Sequence, residues 1–433
     1  MDRRDFLVRS TLGAGALALH GVAVAAPDAA PRPLPRPLGT WESVRAEFDR
    51  IAPDRIHMSS FFLASHPRTV RESIEKHRTG LDLDPLDYVE VNVATLERAV
   101  RAAASGYLGG KPDDLAMTDS TTQGLGTVYG GIELRAGQEI LSTTHDHIVT
   151  ELAVDYRAAR AGGQVRRISL YDDPARASAA EIADRLEKAI KPQTRVIALT
   201  WVHSGTGVKL PLRALGDVVA KINAKRAEVD RALLIVDGVH GFGNQDVDVS
   251  ALGCDFFIAG CHKWIFGPRG TGLVWGRPAA WPLVKPAVPS MDPMWRSGPP
   301  ERMPPAAHLT PGGFHSFEHR WALPAAFELH QRIGGKAKIA ARIRDLNTRC
   351  KQGLAKLPRV RLKTPMSAEL SAGILCFEVD GLSPKAVVEK LAAKKIIASK
   401  TPSFYTPAYA RLAPSLLTLE AEVDRTIAAV AAL

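Results

Sequence analysis

Cysteine is scarce in this chain, with four residues in 433. No two of Cys254, Cys261, Cys350 and Cys376 stand at metal-ligand spacing, which argues against a structural zinc module. Cys254 and Cys376 fall inside apolar runs and read as buried free thiols. A core of this size needs no disulfide framework. A lysine-rich tail and basic runs with interleaved aromatics are also missing. The formal net charge of +10, from 56 Lys and Arg against 46 Asp and Glu, is scattered among acids. It suits an anionic ligand or a plain solvated surface and gives nucleic acid no support as a partner. No apolar run is long enough for a stable membrane span, and no internal repeat is visible. Neither a strand–GxGxxG–helix unit nor a Walker loop occurs, which argues against a nucleotide-binding α/β protein.

What is present begins with an address. Arg3-Arg4 followed by Phe6-Leu7 resembles a twin-arginine export signal. A weakly apolar, Gly- and Ala-rich stretch from Thr11 to Val24 follows, and Ala23-Val24-Ala25 fits a small-x-small cleavage site. Residues 1–25 are therefore set aside from the fold as a signal peptide, cleaved near Ala25, that engages the twin-arginine export machinery and delivers the chain to the periplasm. The alternative is a frayed N-terminal extension. The Pro-rich run from Pro27 to Pro37 reads as an extended linker.

Beyond it the pattern alternates. Val93 to Leu108 carries apolar residues at helical spacing and stops at Gly109-Gly110. Short apolar runs at Ile140-Leu141, Val165 to Leu170, Val196 to Val202, Leu233 to Val236, Phe256 to Ile258 and Gly272 to Trp275 read as buried strands. Helical stretches such as Leu212 to Arg226 lie between several of them. That alternation predicts an α/β fold with a mostly parallel sheet, and ligands in such sheets bind beyond the carboxyl ends of the strands. Residues 286–313 are rich in Pro, Met, Arg and Gly without a period, and read as a functional loop. A helix follows from His319 to Ile333. The last hundred residues predict a small α+β unit, with a final helix capped by Thr418. The expected organisation is a linker and N-terminal segment over 26–75, a large domain over 76–290, a loop and connecting helix over 291–335, and a small C-terminal domain over 336–433.

Chemistry concentrates at the strand ends. Val236 leads into Asp237-Gly238-Val239-His240, and Phe256 to Ile258 leads into Gly260-Cys261-His262-Lys263-Trp264 and then Gly267-Pro268-Arg269-Gly270. A lysine between a buried strand and a glycine-rich turn is a candidate for covalent attachment to a carbonyl. A carboxylate such as Asp237 would keep a pyridinium protonated so that it can absorb a carbanion's electrons. Alone, each reads as an ordinary turn aspartate or surface lysine; in this order and context they point together to pyridoxal chemistry.

Asp237 with His240, then His262-Lys263-Trp264, then Gly267 to Gly270 resembles the aminotransferase class V family of fold type I pyridoxal-phosphate enzymes, and the Trp after the lysine its isopenicillin N epimerase-like branch. The resemblance implies a large domain with a mostly parallel mixed sheet plus a small C-terminal α+β domain, pyridoxal 5'-phosphate as cofactor, and a homodimer with sites at the interface. It implies roles residue by residue. Lys263 holds the cofactor as a Schiff base and then serves as the base. Asp237 faces the ring nitrogen. Thr121 and Thr122, in the turn Asp119 to Gly124 before a helix, hold the phosphate, as helix N-termini do. His145, in Thr143-Thr144-His145-Asp146-His147, stacks on the ring and can act as an acid–base group, whereas His147 reads as an ordinary polar residue. Ser204 and His240 lie near the cofactor's phenolic oxygen, and His262 joins the cofactor site. Arg411, in Tyr409 to Pro414, binds the substrate carboxylate. Met58 to Phe62 resembles a substrate loop. Two positions depart from the pattern. Gly260 stands where desulfurases carry a phosphate-binding Ser, and Gly313 where many members have a Thr, so phosphate contacts pass to other groups, His315 and Ser316 being the candidates.

The resemblance implies action on the α-amino group of an amino acid or peptide-like metabolite. Epimerisation and a catalytically degenerate cofactor-binding protein are the alternatives. A desulfurase is disfavoured, since residues 398–409 before Arg411 contain no cysteine. The segment Thr310 to Trp321 and the export signal are similar to a periplasmic subgroup that tailors a siderophore, pyoverdine. Export in the folded state suits an enzyme that takes up its cofactor in the cytoplasm.

Overall fold

The computed structural model describes residues 36–296 and 299–433; the segment expected to be an export signal, residues 1–25, lies outside the described residues. A seven-stranded mixed sheet forms the large domain. Its strands are β2 (Leu115–Thr118), β3 (Glu139–Thr143), β4 (Gln164–Ile168), β5 (Thr194–Thr200), β6 (Leu233–Asp237), β7 (Phe256–Gly260) and β8 (Gly272–Gly276), in the order β2-β8-β7-β6-β5-β3-β4. β8 runs antiparallel to both neighbours, and the pairs from β7 to β4 are parallel. The central strands are buried throughout and mostly apolar because both faces are covered. Ile197, Leu199, Leu234, Val236 and Phe257 join the core on one side. Val196, Ala198, Leu233, Ile235 and Phe256 join the core on the other. Such continuous runs are what made these strands legible. The edge strand β2 was not expected; it has four residues and takes its place by pairing with β8, over 150 residues later.

Helices α2 (Arg68–Leu83), α3 (Pro85–Leu108), α4 (Thr121–Gly131), α5 (Ile148–Ala161), α6 (Ala179–Ala189) and α7 (Leu212–Asn223) follow α1 (Trp41–Ala46) and cover the sheet. Residues 286–313 are less irregular than expected and contain the short helices α8 (Asp292–Trp295) and α9 (Pro305–His308). α10 (Phe317–Ile333) buries Phe317, Trp321 and Phe327 in one core with Val70, Ile74 and Val100 of α2 and α3.

The small C-terminal domain carries a four-stranded antiparallel sheet, ordered β12 (Ser399–Lys400), β13 (Ala410–Leu412), β10 (Leu375–Val379), β9 (Val360–Leu362). α11 (Gly335–Ala355), α12 (Pro384–Ala393) and α13 (Glu420–Ala431) pack against it. The N-terminal segment also reaches this domain. β1 (Ile56–His57) pairs with β11 (Ile396–Ile397), and Ala413 N–H donates to Met58 C=O at 2.7 Å. Thr418 does not cap α13. Its hydroxyl accepts the Ser415 N–H at 3.0 Å, and Glu422 reaches back to the Leu419 N–H at 2.9 Å.

Candidate active site

Five strands of the central sheet deliver polar residues at or just past their carboxyl ends. β2 leads to Ser120, Thr121 and Thr122, β3 to His147, β5 to Thr200 and Ser204, β6 to Asp237 and His240, and β7 to His262 and Lys263. All of these line one cavity of about 110 Å³. That is where ligands bind in open α/β sheets, because strand ends converge there while helices close the flanks.

Lys263 and Asp237 set the electrostatics. Lys263 Nζ lies 3.3 Å from His240 Nε2. Burial lowers its pKa to about 8, against the opposing pull of Asp237. Asp237 is 1% exposed and accepts the Val239 N–H at 3.1 Å. Burial raises its pKa to about 6. A desolvated amine and a buried carboxylate with shifted pKa values in one cavity mark a candidate functional pair. The lysine turn is anchored on its far side: Trp264 is 1% exposed within the core of the N-terminal segment and small domain. Phe266, three residues after Lys263, holds φ 58°, a left-handed strain costing roughly 1–3 kcal/mol in a non-glycine residue and typical of functional turns.

The sequence profile of the aminotransferase class V family matches residues 90–415. This chain belongs to that family. Over 413 residues it is 28% identical to an isopenicillin N epimerase of Streptomyces clavuligerus, covering 91% of this chain and 98% of the relative. A cysteine desulfurase of Klebsiella pneumoniae (strain 342) is 31% identical over 183 residues, 41% of this chain and 42% of that one. Among solved structures, a C-DES mutant with glycine covalently linked to the PLP cofactor superposes with a TM-score of 0.80 at 24% identity. It covers 89% of this chain and 98% of that one, and it shows the shared fold. The family and such neighbours are pyridoxal-phosphate enzymes.

The cavity of this class V chain fits that cofactor on its own terms. Ser120 caps α4 by accepting the Gln123 N–H at 3.1 Å. Thr121 Oγ1 accepts the Gly260 N–H at 2.8 Å, so its own proton is free to donate. A helix N-terminus with hydroxyls suits a phosphate dianion. The missing Ser at 260 has a physical counterpart: a Cβ on Gly260 would lie 2.7 Å from His262 Cε1 and 3.1 Å from Thr121 Oγ1. The His262 ring therefore occupies the space that a side chain at 260 would need. Two buried polar atoms of cavity residues, Thr200 Oγ1 and His240 Nδ1, have no partner within the protein, as a site built for a polar ligand requires.

Of the anticipated residues, Thr121, Thr122, Ser204, Asp237, His240, His262 and Lys263 come together on the cavity wall. Arg411 is 4% exposed and donates to Ser204 C=O at 2.9 Å. Phe61, from the expected substrate loop, lies under its guanidinium at 4.7 Å and 5.7 Å from the His240 ring. His145 is placed differently. Its ring stacks on Tyr171 at 3.9 Å and 9°, and its Nε2 accepts the Leu170 N–H at 3.1 Å, outside the cavity lining. His147 stands on the wall instead. It is the N-cap of α5, and its Nδ1 accepts the Val149 N–H at 3.3 Å. Burial and the nearby Lys263 and Arg411 charges lower its pKa to about 4, so the ring is neutral at pH 7.

The physical reason for the exchange is Asp146. One of its carboxylate oxygens accepts from Ser142 Oγ, Thr143 N–H and Thr143 Oγ1 at 2.8–3.0 Å, and the other from Thr200 N–H at 2.6 Å. This buried knot fixes the turn, and residues on either side of it point apart. His315 is also turned elsewhere: Nδ1 lies 2.8 Å from Gly313 C=O and Nε2 3.3 Å from the buried Glu97. Sequence reasoning missed Asp146 and Thr200. Only Asp146 left a signal, a short acceptor side chain in a turn directly after a strand.

Among the described residues no group of three or more His, Cys, Asp or Glu could hold a metal ion, and no helix is long and apolar enough to cross a membrane.

Proposed function

We propose that this chain is a pyridoxal-phosphate enzyme that binds an amino acid or peptide-like metabolite by its α-amino group and carboxylate and removes the Cα proton with Lys263. The observation that carries this reading is one cavity holding a desolvated lysine, with pKa lowered to about 8, together with the buried carboxylate of Asp237. Thr121, Thr122 and His262 would hold the phosphate, Asp237 the ring nitrogen, Ser204 and His240 the ring oxygen, and His147 the ring face. When bound, the cofactor supplies an electron sink for the charge left at Cα.

The rest is the work of this chain's own side chains. Arg411, its Nε buried without a partner, presents a planar fork to the substrate carboxylate. Phe61, buried 4.7 Å beneath the guanidinium, covers one face of that pair. The lowered pKa of Lys263 lets a neutral amine exist near pH 8, where it can accept the Cα proton. His240, 3.3 Å away, provides a second nitrogen on which the lysine amine can be oriented. All four cysteines are buried, with thiols pushed up to about 12 by desolvation. That supports amino-group chemistry over sulfur transfer through an enzyme thiolate.

Epimerisation is the favoured alternative outcome, because the epimerase relative spans nearly the whole chain. A degenerate cofactor carrier would keep the same cavity, and the unbroken set of Lys263, Asp237 and Arg411 weighs against it. Combined with the N-terminal signal, the reading extends to a periplasmic homodimer, exported through the twin-arginine route, that tailors a siderophore or related metabolite such as pyoverdine. Lys263→Ala, reconstituted with pyridoxal phosphate, should lack the visible absorption of a lysine-linked cofactor. If that band survives the substitution, the lysine assignment is wrong. Screening amino acids and siderophore precursors for spectral change, followed by analysis of products for a keto group or inverted Cα, separates transamination from epimerisation. No spectral change with any amino compound would favour the carrier.

A further inference from the structure

The loop between Thr401 and Tyr409 takes no part in the chemistry described so far. Its base is closed by Thr401 N–H donating to Tyr409 C=O at 2.9 Å and Tyr409 N–H donating to Thr401 Oγ1 at 2.9 Å. Its tip carries two consecutive aromatic residues. Phe404 meets His147 edge-on at 5.3 Å and 83°. The Tyr405 hydroxyl lies 3.1 Å from Ser204 Oγ and 3.5 Å from Asp146 C=O. The Tyr405 ring rests on Gly205, where a Cβ would lie 2.9–3.2 Å from it. Any other residue at 205 would force the ring or the loop to shift.

Ser204 is thus a junction between the two domains. Its carbonyl accepts Arg411 Nη1, its hydroxyl meets Tyr405, and it lines the cavity with Lys263 and Asp237. A serine hydroxyl has one proton and rotates freely unless a second group fixes it. Burial raises the Tyr405 pKa far above the ordinary range, so this phenol keeps its proton at all working pH values. Either hydroxyl can donate across the 3.1 Å contact; with the phenol as donor, the serine proton is left to point elsewhere. The second nearby acceptor, Asp146 C=O, is the more distant of the two and competes weakly.

We propose that Tyr405 is a positioning residue: through its hydrogen bond to Ser204 it directs the serine proton into the cavity and so tunes the protonation of the group attached to Lys263. This rests on the cofactor reading above. The loop is then a fixed wall delivered by the small domain, not an arm that carries a reacting group.

The test is a pH titration of the visible cofactor absorption in reconstituted holoenzyme, comparing wild type, Tyr405→Phe, Ser204→Ala and the double variant, with circular dichroism to check the fold. Tyr405→Phe should displace the titration midpoint by the equivalent of about a 3- to 10-fold change in proton affinity, the range set by one net hydrogen bond. In the Ser204→Ala background the same change should do nothing, because the intermediary is gone. An unmoved midpoint in Tyr405→Phe, or an equal displacement with and without Ser204, overturns the proposal while the cofactor reading stands. A wild-type protein without a band that Lys263→Ala removes overturns the cofactor reading and this proposal with it.

Discussion

Lys263, Asp237 and His240 hang from the ends of two adjacent parallel strands in which every residue is buried, whereas Arg411, Tyr405 and Phe404 belong to a three-residue strand and a loop of the small domain. The floor is placed by backbone ladders and two apolar layers. The roof is placed by side chains: one guanidinium on a carbonyl, one phenol on a serine, one ring edge on a histidine. A floor of that kind fixes atoms that must meet a reacting centre to within a fraction of an ångström, and a roof of that kind sets how the substrate is held and how the floor is tuned. The division suggests that floor substitutions abolish turnover, while roof substitutions alter binding and tuning.

The largest effect is expected at Lys263. Lys263→Ala should lower kcat/KM by about 10⁴-fold or more, the scale reported when a nucleophile and base are removed together. A variant that retained turnover within tenfold would place the base elsewhere and erase the contrast with the roof.

The floor should also reveal itself without substrate. In the apo protein the Lys263 pKa falls from 10.5 to about 8 because burial disfavours the ammonium. The unfolded chain therefore binds more protons between pH 8 and 10.5, and stability rises with pH across that window. Its contribution is complete above 10.5 and lost as pH falls through 8. Lys263→Met should then stabilise the apo protein at pH 7 by up to about 3 kcal/mol, less whatever Asp237 loses with its partner. The gain should shrink by about 2 kcal/mol at pH 9.5. Urea unfolding at both pH values measures it, and a gain independent of pH would mean the amine is well solvated.

For the roof, Arg411→Ala should raise KM by roughly 10- to 100-fold with a smaller change in kcat, as expected for losing charge-assisted hydrogen bonds to a carboxylate. Steady-state kinetics with a substrate and its carboxamide decide the point. If the amide suffers as much as the acid, Arg411 is a structural clamp on Ser204 and not a carboxylate ligand.

The same division explains what could be read in advance. Asp237 follows directly on a continuous apolar run, and Ser204 and Lys263 lie within five residues of the end of one, so strand ends and polar residues could be assigned together from local sequence. Tyr405 and Ser204 lie 201 positions apart, and no local pattern announces their meeting. β2 is short and defined only by its partner β8. His262 filling the space over Gly260 is a relation between side-chain volume and backbone that appears only once both are placed. The N-cap of the final helix falls at Leu419, one residue after the apparent cap Thr418, because Thr418 and Glu422 satisfy two different backbone donors.

The smallest effect, and the finest test of how local geometry sorts residues, concerns the two histidines of one turn. Both are buried enough to have pKa values near 4, and charge therefore does not distinguish them. Position does: His147 caps α5 on the cavity wall, while His145 stacks on Tyr171 behind it. His147→Ala should weaken pyridoxal-phosphate binding by about tenfold, through loss of a ring face and of a helix cap. His145→Ala should leave that affinity within about twofold and instead lower the unfolding midpoint, since it opens a gap beside Tyr171. Cofactor titration followed by absorbance gives the first quantity and thermal unfolding of the apo protein the second. The reverse pattern would restore His145 to the cofactor and imply that the Asp146 knot turns the opposite way when the site is filled.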